Sequence, residues 1–244
     1  MNLVKVEGSD EVVRLVLNRP KNVNALNTKL LHTLQQTINQ AIESDARAIV
    51  LTGAGRGFSA GADFSELTGT IADVSMDERI GAVTDTIITA PIPIIAALHG
   101  FCFGGAVDLA WSCDMVIATP TTRIAVPATR LGILYNPRSL RRLYARLGSL
   151  ATRRLLLFGD ELRGEEAWQM GAVAHLAEND TLLSVTDQLA SKVALGQRAA
   201  IDATKQFLNE LDAGEADIDH WQARRLALQA DPERIALIQA RQKR

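Results

Sequence analysis

The sequence predicts an α/β protein whose C-terminal part is helical. Three observations carry that prediction. Short apolar runs, several rich in β-branched residues, alternate with stretches of helical periodicity through the first half. Two of those runs, Ala48-Ile49-Val50-Leu51 and Ile94-Ile95-Ala96-Ala97-Leu98, have the uninterrupted apolar character of buried strands. From about residue 138 only helical spacing remains. That order points to one α/β core, residues 1–190, carrying a helical region, residues 191–244, with no long linker between them. At 244 residues and 47% apolar composition the chain can bury a sizeable core.

Leu3 to Val6 and Val12 to Leu17, separated by Gly8-Ser9-Asp10, predict a hairpin. Asn27 or Thr28 can cap a helix in which Leu30, Leu31, Leu34, Ile38, Ala41 and Ile42 recur at helical spacing. The strand Ala48 to Leu51 ends at Thr52-Gly53-Ala54-Gly55. Residues 64–78 are polar and irregular and predict a mobile loop before a helix of about residues 78–89. Pro91 and Pro93 close that helix and open the strand Ile94 to Leu98. A helix follows Gly104-Gly105, and Met115 to Ala118 is a further strand. Helical spacing then marks Ser139 to Leu147, Leu150 to Phe158, Gly164 to Met170, Leu182 to Ala194, Ala199 to Leu211, Trp221 to Gln229 and Pro232 to Gln242.

Composition narrows the function classes. A net charge of −2, with basic residues spread out except near Arg138, gives no footprint for a nucleic acid. No apolar run reaches the roughly 18–20 residues of a membrane span. The N-terminus lacks a basic start followed by an apolar stretch, so no secretory signal is expected. Cys102 and Cys113 lie in apolar or helical contexts and read as reduced core thiols, which fits a cytoplasmic protein. His32, His99, His175 and His220 have no metal-ligand spacing. Trp111 and Trp168 read as core or interface packing.

Two glycine-bearing loops carry the chemistry. Ser59-Ala60-Gly61-Ala62-Asp63 follows the first buried strand, and His99-Gly100-Phe101-Cys102-Phe103-Gly104-Gly105-Ala106 follows the second. Each can present a bare backbone N–H, and two such groups converging on one point form an oxyanion hole. Losing one donor from such a hole raises the barrier by about 2.7–4 kcal/mol.

With these loops, Arg19-Pro20 followed by Asn24-Ala25-Leu26, Ile49 to Asp63, Pro93 to Asp114 and Gly164 to Val173 stand in order. On these segments the chain resembles the enoyl-CoA hydratase/isomerase (crotonase) superfamily over nearly its whole length. The resemblance implies a fold of repeated ββα units, with the helical C-terminal region packing on the core and on neighbouring subunits in a trimer or a dimer of trimers. It implies an acyl-CoA thioester substrate and no cofactor beyond the coenzyme A of that substrate. It makes the Ala62 and Gly105 N–H groups the oxyanion donors and sets the Ala60 and Ala62 backbone near the adenine of CoA. Asp63 braces the same loop. Ile238 and Arg241 fall near the positions of an apolar contact and a cation for CoA.

Hydratases of the family use two glutamates. Alignment on Gly105 puts Asp108 at the first position, and alignment on Val126-Pro127 and Leu131-Gly132 puts Ala128 at the second. Asp is shorter than Glu by one carbon–carbon bond, roughly 1.5 Å, and a misplacement of about 1 Å can cost on the order of 100-fold in rate. Ala128 can move no proton. Efficient hydration is therefore not expected, while a single acid/base at Asp108 suits double-bond isomerisation. Leu131-Gly132-Ile133-Leu134-Tyr135-Asn136 and Gly104-Gly105-Ala106 resemble the methylmalonyl-CoA decarboxylase branch, which also lacks the second glutamate but has a histidine where this chain has Ala62. That resemblance offers decarboxylation of a malonyl-type CoA, with Tyr135 orienting the carboxylate or protonating the carbanion. Arg138, in a basic cluster with Arg141 and Arg142, is either a solvated or interface residue or a fork for a second substrate carboxylate. Glu78 and Asp85 flank the helix beside the mobile segment and are further candidate carboxylates. Binding of acyl-CoA without chemistry is the third alternative.

Overall fold

The strand-forming runs sort their side chains to two faces. In the computed structural model, which describes residues 2–242, β1 (Val4–Gly8) and β2 (Val12–Leu17) form the expected hairpin with Val4 opposite Leu17. Helix α1 (Thr28–Glu43) crosses to β3 (Ala48–Gly53), which lies parallel to β2. Helix α2 (Val74–Thr89) crosses to β4 (Ile94–Leu98), parallel to β3 with Ile49 beside Ile94. Short β5 (Phe101–Phe103) and helix α3 (Gly105–Ser112) lead to β6 (Met115–Ala118), parallel to β4.

The chain continues through β7 (Arg123–Ala125), α4 (Pro137–Thr152), β8 (Glu161–Arg163), α5 (Gly164–Gln169) and β9 (His175–Leu176). Four helices follow: α6 (Leu182–Ala194), α7 (Arg198–Ala213), α8 (Ile218–Gln229) and α9 (Pro232–Gln242). The main sheet has the order β1-β2-β3-β4-β6-β9, and β5-β7-β8 form a second, smaller sheet.

Alternate residues of the central strands enter different cores, as a period of two requires. Ile49, Leu51, Ile94, Ala96 and Leu98 join the large core with α1, α2 and α3. Val50, Ile95, Ala97 and Ile117 face the other way, where α6 covers them with Leu182, Ala190 and Ala194. Both faces are covered, which is why β3 and β4 read as unbroken apolar runs.

The helix cap falls on Asn27, whose side chain accepts the Leu30 N–H at 2.8 Å. The expected break between residues 147 and 150 falls at Gly148, whose φ of 73° interrupts α4. The segment after the first loop differs from expectation. It holds two short turns, Phe64–Glu66 and Ile71–Asp73, and α2 begins at Val74 rather than near 78. Its polar side chains are the reason. Asp73 accepts from Thr68 N (2.7 Å), Thr68 Oγ1 (2.8 Å) and Gly69 N (2.8 Å), while Glu66 accepts from both N and Oγ1 of Thr28. The four strands β5, β7, β8 and β9 are too short to show a period.

Candidate active site

The two loops leave the carboxyl ends of adjacent parallel strands, β3 and β4, where open α/β sheets place their ligands. The segment Arg19 to Leu26 builds the floor of the first loop. Asn24 is fully buried in a left-handed conformation (φ 52°). Its amide donates to the carbonyls of Ala54, Gly57 and Phe58 at 2.9, 2.9 and 3.1 Å, and its Oδ1 accepts the Arg19 N–H at 2.8 Å. Asn and Asp tolerate this backbone region better than most residues. Ala60 N donates to Val23 O, Leu26 N donates to Gly61 O, and Asp63 N donates to Leu26 O. Gly61 N donates to Ser59 Oγ at 3.2 Å, so the amides on either side of Ala62 are used. Among the described residues, the Ala62 N–H itself has no acceptor.

The second loop is laced to the first. Phe58 N donates to His99 O, Ser59 N to Phe101 O, and Phe103 N to Ser59 O. Two glycines make the final contact possible. Gly61 has φ 86°, and a Cβ there would stand 2.5 Å from Phe103 O. Gly104 has φ 53° and abuts Gly61. Gly105 then opens α3. Its N–H, like that of Ala106, has no acceptor among the described residues, as expected for the first turn of a helix. Neighbouring loops locked together by three hydrogen bonds thus each leave an amide unpartnered. A negatively charged oxygen would find compatible electrostatics there, because the start of a helix carries partial positive charge.

Asp108, on the first turn of α3, is 2% exposed. Its Oδ1 accepts from Arg142 Nη2 at 2.9 Å and Nε at 3.2 Å, and its Oδ2 accepts from the Ser139 hydroxyl at 2.6 Å. Both oxygens are engaged within the protein, and Oδ2 retains a further lone pair. Arg142 also reaches Thr84 Oγ1 at 3.3 Å. Tyr135 donates its hydroxyl to Gly104 O at 3.1 Å, so it stands beside the second loop. Burial, followed by the charge of Asp108, pushes the Tyr135 phenol well above its ordinary value.

The other expected residues divide. Ala60 and Ala62 are half-buried on the first loop. Asp63 braces that loop: Oδ1 accepts from Ser65 N and Oγ, Oδ2 from Arg19 Nη1 at 2.8 Å, and the Ser65 hydrogen bond is the main cause of its lowered pKa. Its carboxylate is thus engaged by the protein itself. Arg138 is exposed, 4.0 Å from Asp85, and Arg141 pairs with Glu215 at 2.9 Å. Of the basic cluster, Arg142 is the member that reaches Asp108. Sequence spacing singled out Arg138, one helical turn earlier on the same face. Ala128 is buried where the alignment places it, with no carboxylate. Ile238 and Arg241 lie exposed on α9, whose main packing partner is α8. His99 contacts Gly55 O at 3.1 Å and is held below its usual pKa by burial.

Both cysteines are buried free thiols, and burial pushes Cys113 up to about 12. Trp111 is buried with its Nε1 on Ala172 O, while Trp168 is exposed. Among the described residues no group of three His, Cys, Asp or Glu could hold a metal, and no helix is long and apolar enough to cross a membrane.

Residues 7–230 match the family model described as enoyl-CoA hydratase/isomerase. The chain is 32% identical to a short-chain-enoyl-CoA hydratase of Clostridium acetobutylicum, over 90% of this chain and 85% of that protein. It is 31% identical to a 2,3-dehydroadipyl-CoA hydratase of Escherichia coli, over 86% and 83% respectively. Among solved structures, Pseudomonas aeruginosa DspI superposes with a TM-score of 0.91 at 26% identity, covering 100% of this chain and 95% of that one. An enoyl-CoA hydratase of Mycobacterium smegmatis gives 0.88 at 26%, covering 99% and 96%. The chain belongs to the enoyl-CoA hydratase/isomerase family and is an enzyme of that family.

Proposed function

We propose that this enzyme stabilises the enolate of an acyl-CoA thioester between the N–H groups of Ala62 and Gly105. The observation that carries the reading is the pair of unpartnered amides on two interlocked loops. The relatives in Clostridium acetobutylicum and Escherichia coli are hydratases of CoA thioesters, and they supply the substrate class. The family's usual hydration needs two proton-moving groups at the addition site, and Ala128 provides none. Isomerisation of the double bond, which returns the proton it removes, fits better. Asp108 remains the carboxylate nearest the Gly105 amide along the chain; in the fold it also fixes Arg142 and Ser139 beside the site. A CoA tail would pass the Ala60 and Ala62 backbone, with Asp63 holding that loop rigid and Arg138 exposed at the rim. Contacts from Ile238 and Arg241 belong to the same reading, with α9 lying against a neighbouring subunit of a trimer or dimer of trimers. The exposed apolar side chains of Leu226, Ile235, Leu237 and Ile238 support such packing. No cofactor beyond the substrate's coenzyme A is required.

One observation favours a second reaction. The Tyr135 hydroxyl keeps its proton at neutral pH and donates it to Gly104 O, and by turning from that carbonyl it can donate the same proton to a substrate carboxylate. Loss of carbon dioxide from a malonyl-type CoA would leave its electron pair in the same enolate.

The test is a mixed panel of enoyl-, saturated and malonyl-type CoA esters in deuterated water, followed by mass spectrometry and chromatography. The reading expects either a shifted double bond, or loss of carbon dioxide with deuterium taken up at the α-carbon. Binding of the panel with neither exchange nor product would overturn it.

A further inference from the structure

We propose that Asp77, on the first turn of α2, is the catalytic carboxylate that moves the proton in this site, where residue 128 cannot and Asp108 is held by Ser139 and Arg142. The inference rests on the enolate site proposed above. Asp77, Ile80 and Thr84 follow at i, i+3 and i+7 and share one stripe of α2. Two of the three have fixed contacts. Ile80 packs on Gly105, where an added Cβ would lie 2.7 Å from Ile80 Cδ1. Thr84 meets Arg142, the partner of Asp108. Asp77 is the next step of that stripe, one turn beyond the residue covering the Gly105 donor. Side chains lean toward a helix's N-terminus, so its carboxylate extends along that stripe beyond Ile80.

Neighbouring carboxylates are engaged: Asp73 with Thr68 and Gly69, Asp108 with Ser139 and Arg142, and Asp85 near Arg138. Asp77 has no hydrogen bond or ion pair among the described residues, and its residue is exposed. Surrounding protein, then the charges of Asp108 and Asp73, raise its pKa. Burial, then the charges of Asp108 and, more weakly, of Asp77, raise the Tyr135 pKa as well. The facing groups are therefore Asp73 on the preceding turn, Asp108 from α3, and Tyr135 and Arg142 from the segment leading into and through α4.

The step balances without another reactant. The Asp77 carboxylate takes a proton from carbon, and the C–H electron pair moves into the enolate, whose oxygen charge the two amides hold. The same proton then returns to the other end of the delocalised system, the double bond shifts, and the carboxylate is regenerated. Raised basicity suits a group that must both take and return a proton near neutral pH.

The test compares wild type with Asp77→Asn on whichever ester the panel shows to react. Expected are a kcat at least about 100-fold lower, binding of an unreactive saturated acyl-CoA within about threefold of wild type, and partial rescue in Asp77→Glu. The acid limb of the wild-type kcat–pH profile should lie above the ordinary carboxylate range and vanish in Asp77→Asn. Unchanged kcat and pH profile in Asp77→Asn would overturn the inference while leaving the enolate site standing. An equal loss in Glu78→Gln, the neighbouring position turned 100° away around the helix, would overturn it too. A wild type that neither exchanges nor converts any ester would instead remove the underlying reading.

Discussion

At the scale of single residues, the buried pair of Asp108 and Arg142 determines how the site can be altered. Their side chains are 3% and 13% exposed and their closest atoms are 2.9 Å apart. Breaking a buried pair from one side leaves an uncompensated charge and costs about 3–5 kcal/mol. Arg142→Met is expected to fall in that range by urea denaturation. Arg142→Met combined with Asp108→Asn should recover most of the loss, because no charge is then stranded. A double variant no more stable than Arg142→Met alone would show that Arg142 acts through packing of its stem and its contact to Thr84. Asp108 was legible in the sequence because glycines fix its register. Arg142 was not, because three arginines in five residues look alike until the helix chooses which one turns inward.

At the scale of elements, the segment between the first loop and α2 shows what pattern reading loses. Its lack of periodicity suggested mobility. The fold instead ties it down through Asp73, whose carboxylate gathers two backbone amides and a hydroxyl across five residues; the Thr68 amide, then the Thr68 hydroxyl, hold its pKa down. Such side-chain-to-backbone closure leaves no repeating signature. Strands of two or three residues leave none either, and β5, β7, β8 and β9 are defined by pairing with distant partners. The helices were legible because their burial is periodic, and β3 and β4 because they are unbroken apolar runs; both loops were legible because glycine and small residues mark positive φ and close approach. This segment leads into the turn that carries Asp77, so its order matters to the site. Asp73→Ala should release the Thr68 and Gly69 amides. Hydrogen exchange at those two positions is expected to accelerate at least tenfold, with protection in β3 and β4 unchanged. Equal exchange rates would mean that the turns hold themselves without the carboxylate.

At the scale of the whole molecule, the helical C-terminal region is fastened to the core far along α2 from Asp77. Lys205 of α7 is 6% exposed. Its ammonium donates to Ile87 O at 2.9 Å and Ile92 O at 3.0 Å and pairs with Asp114 at 2.8 Å. Ile87 offers one of the last carbonyls of α2, which lack intrahelical partners, and a cation suits the negative end of that helix. Asp114 in turn receives the Ile94 N–H at 2.7 Å, so one lysine joins α7, the end of α2 and the start of β4. Nearby, Asn209 donates to Ile88 O, and Arg146 links α4 to Asn209 and Asp212. Lys205→Met keeps the length of the side chain but strands two carbonyls, each worth about 1–3 kcal/mol when buried without a donor. The expected destabilisation is on the order of 3 kcal/mol, seen as a lower urea midpoint. Lys192→Met, on the exposed face of α6, is the comparison and should change stability by less than about 0.5 kcal/mol. If α7 to α9 are held mainly by this junction, Lys205→Met should also split the transition, with the C-terminal helices losing structure first. Equal, small effects in both lysine variants would instead place the attachment in the apolar contacts of α7 and in Arg146.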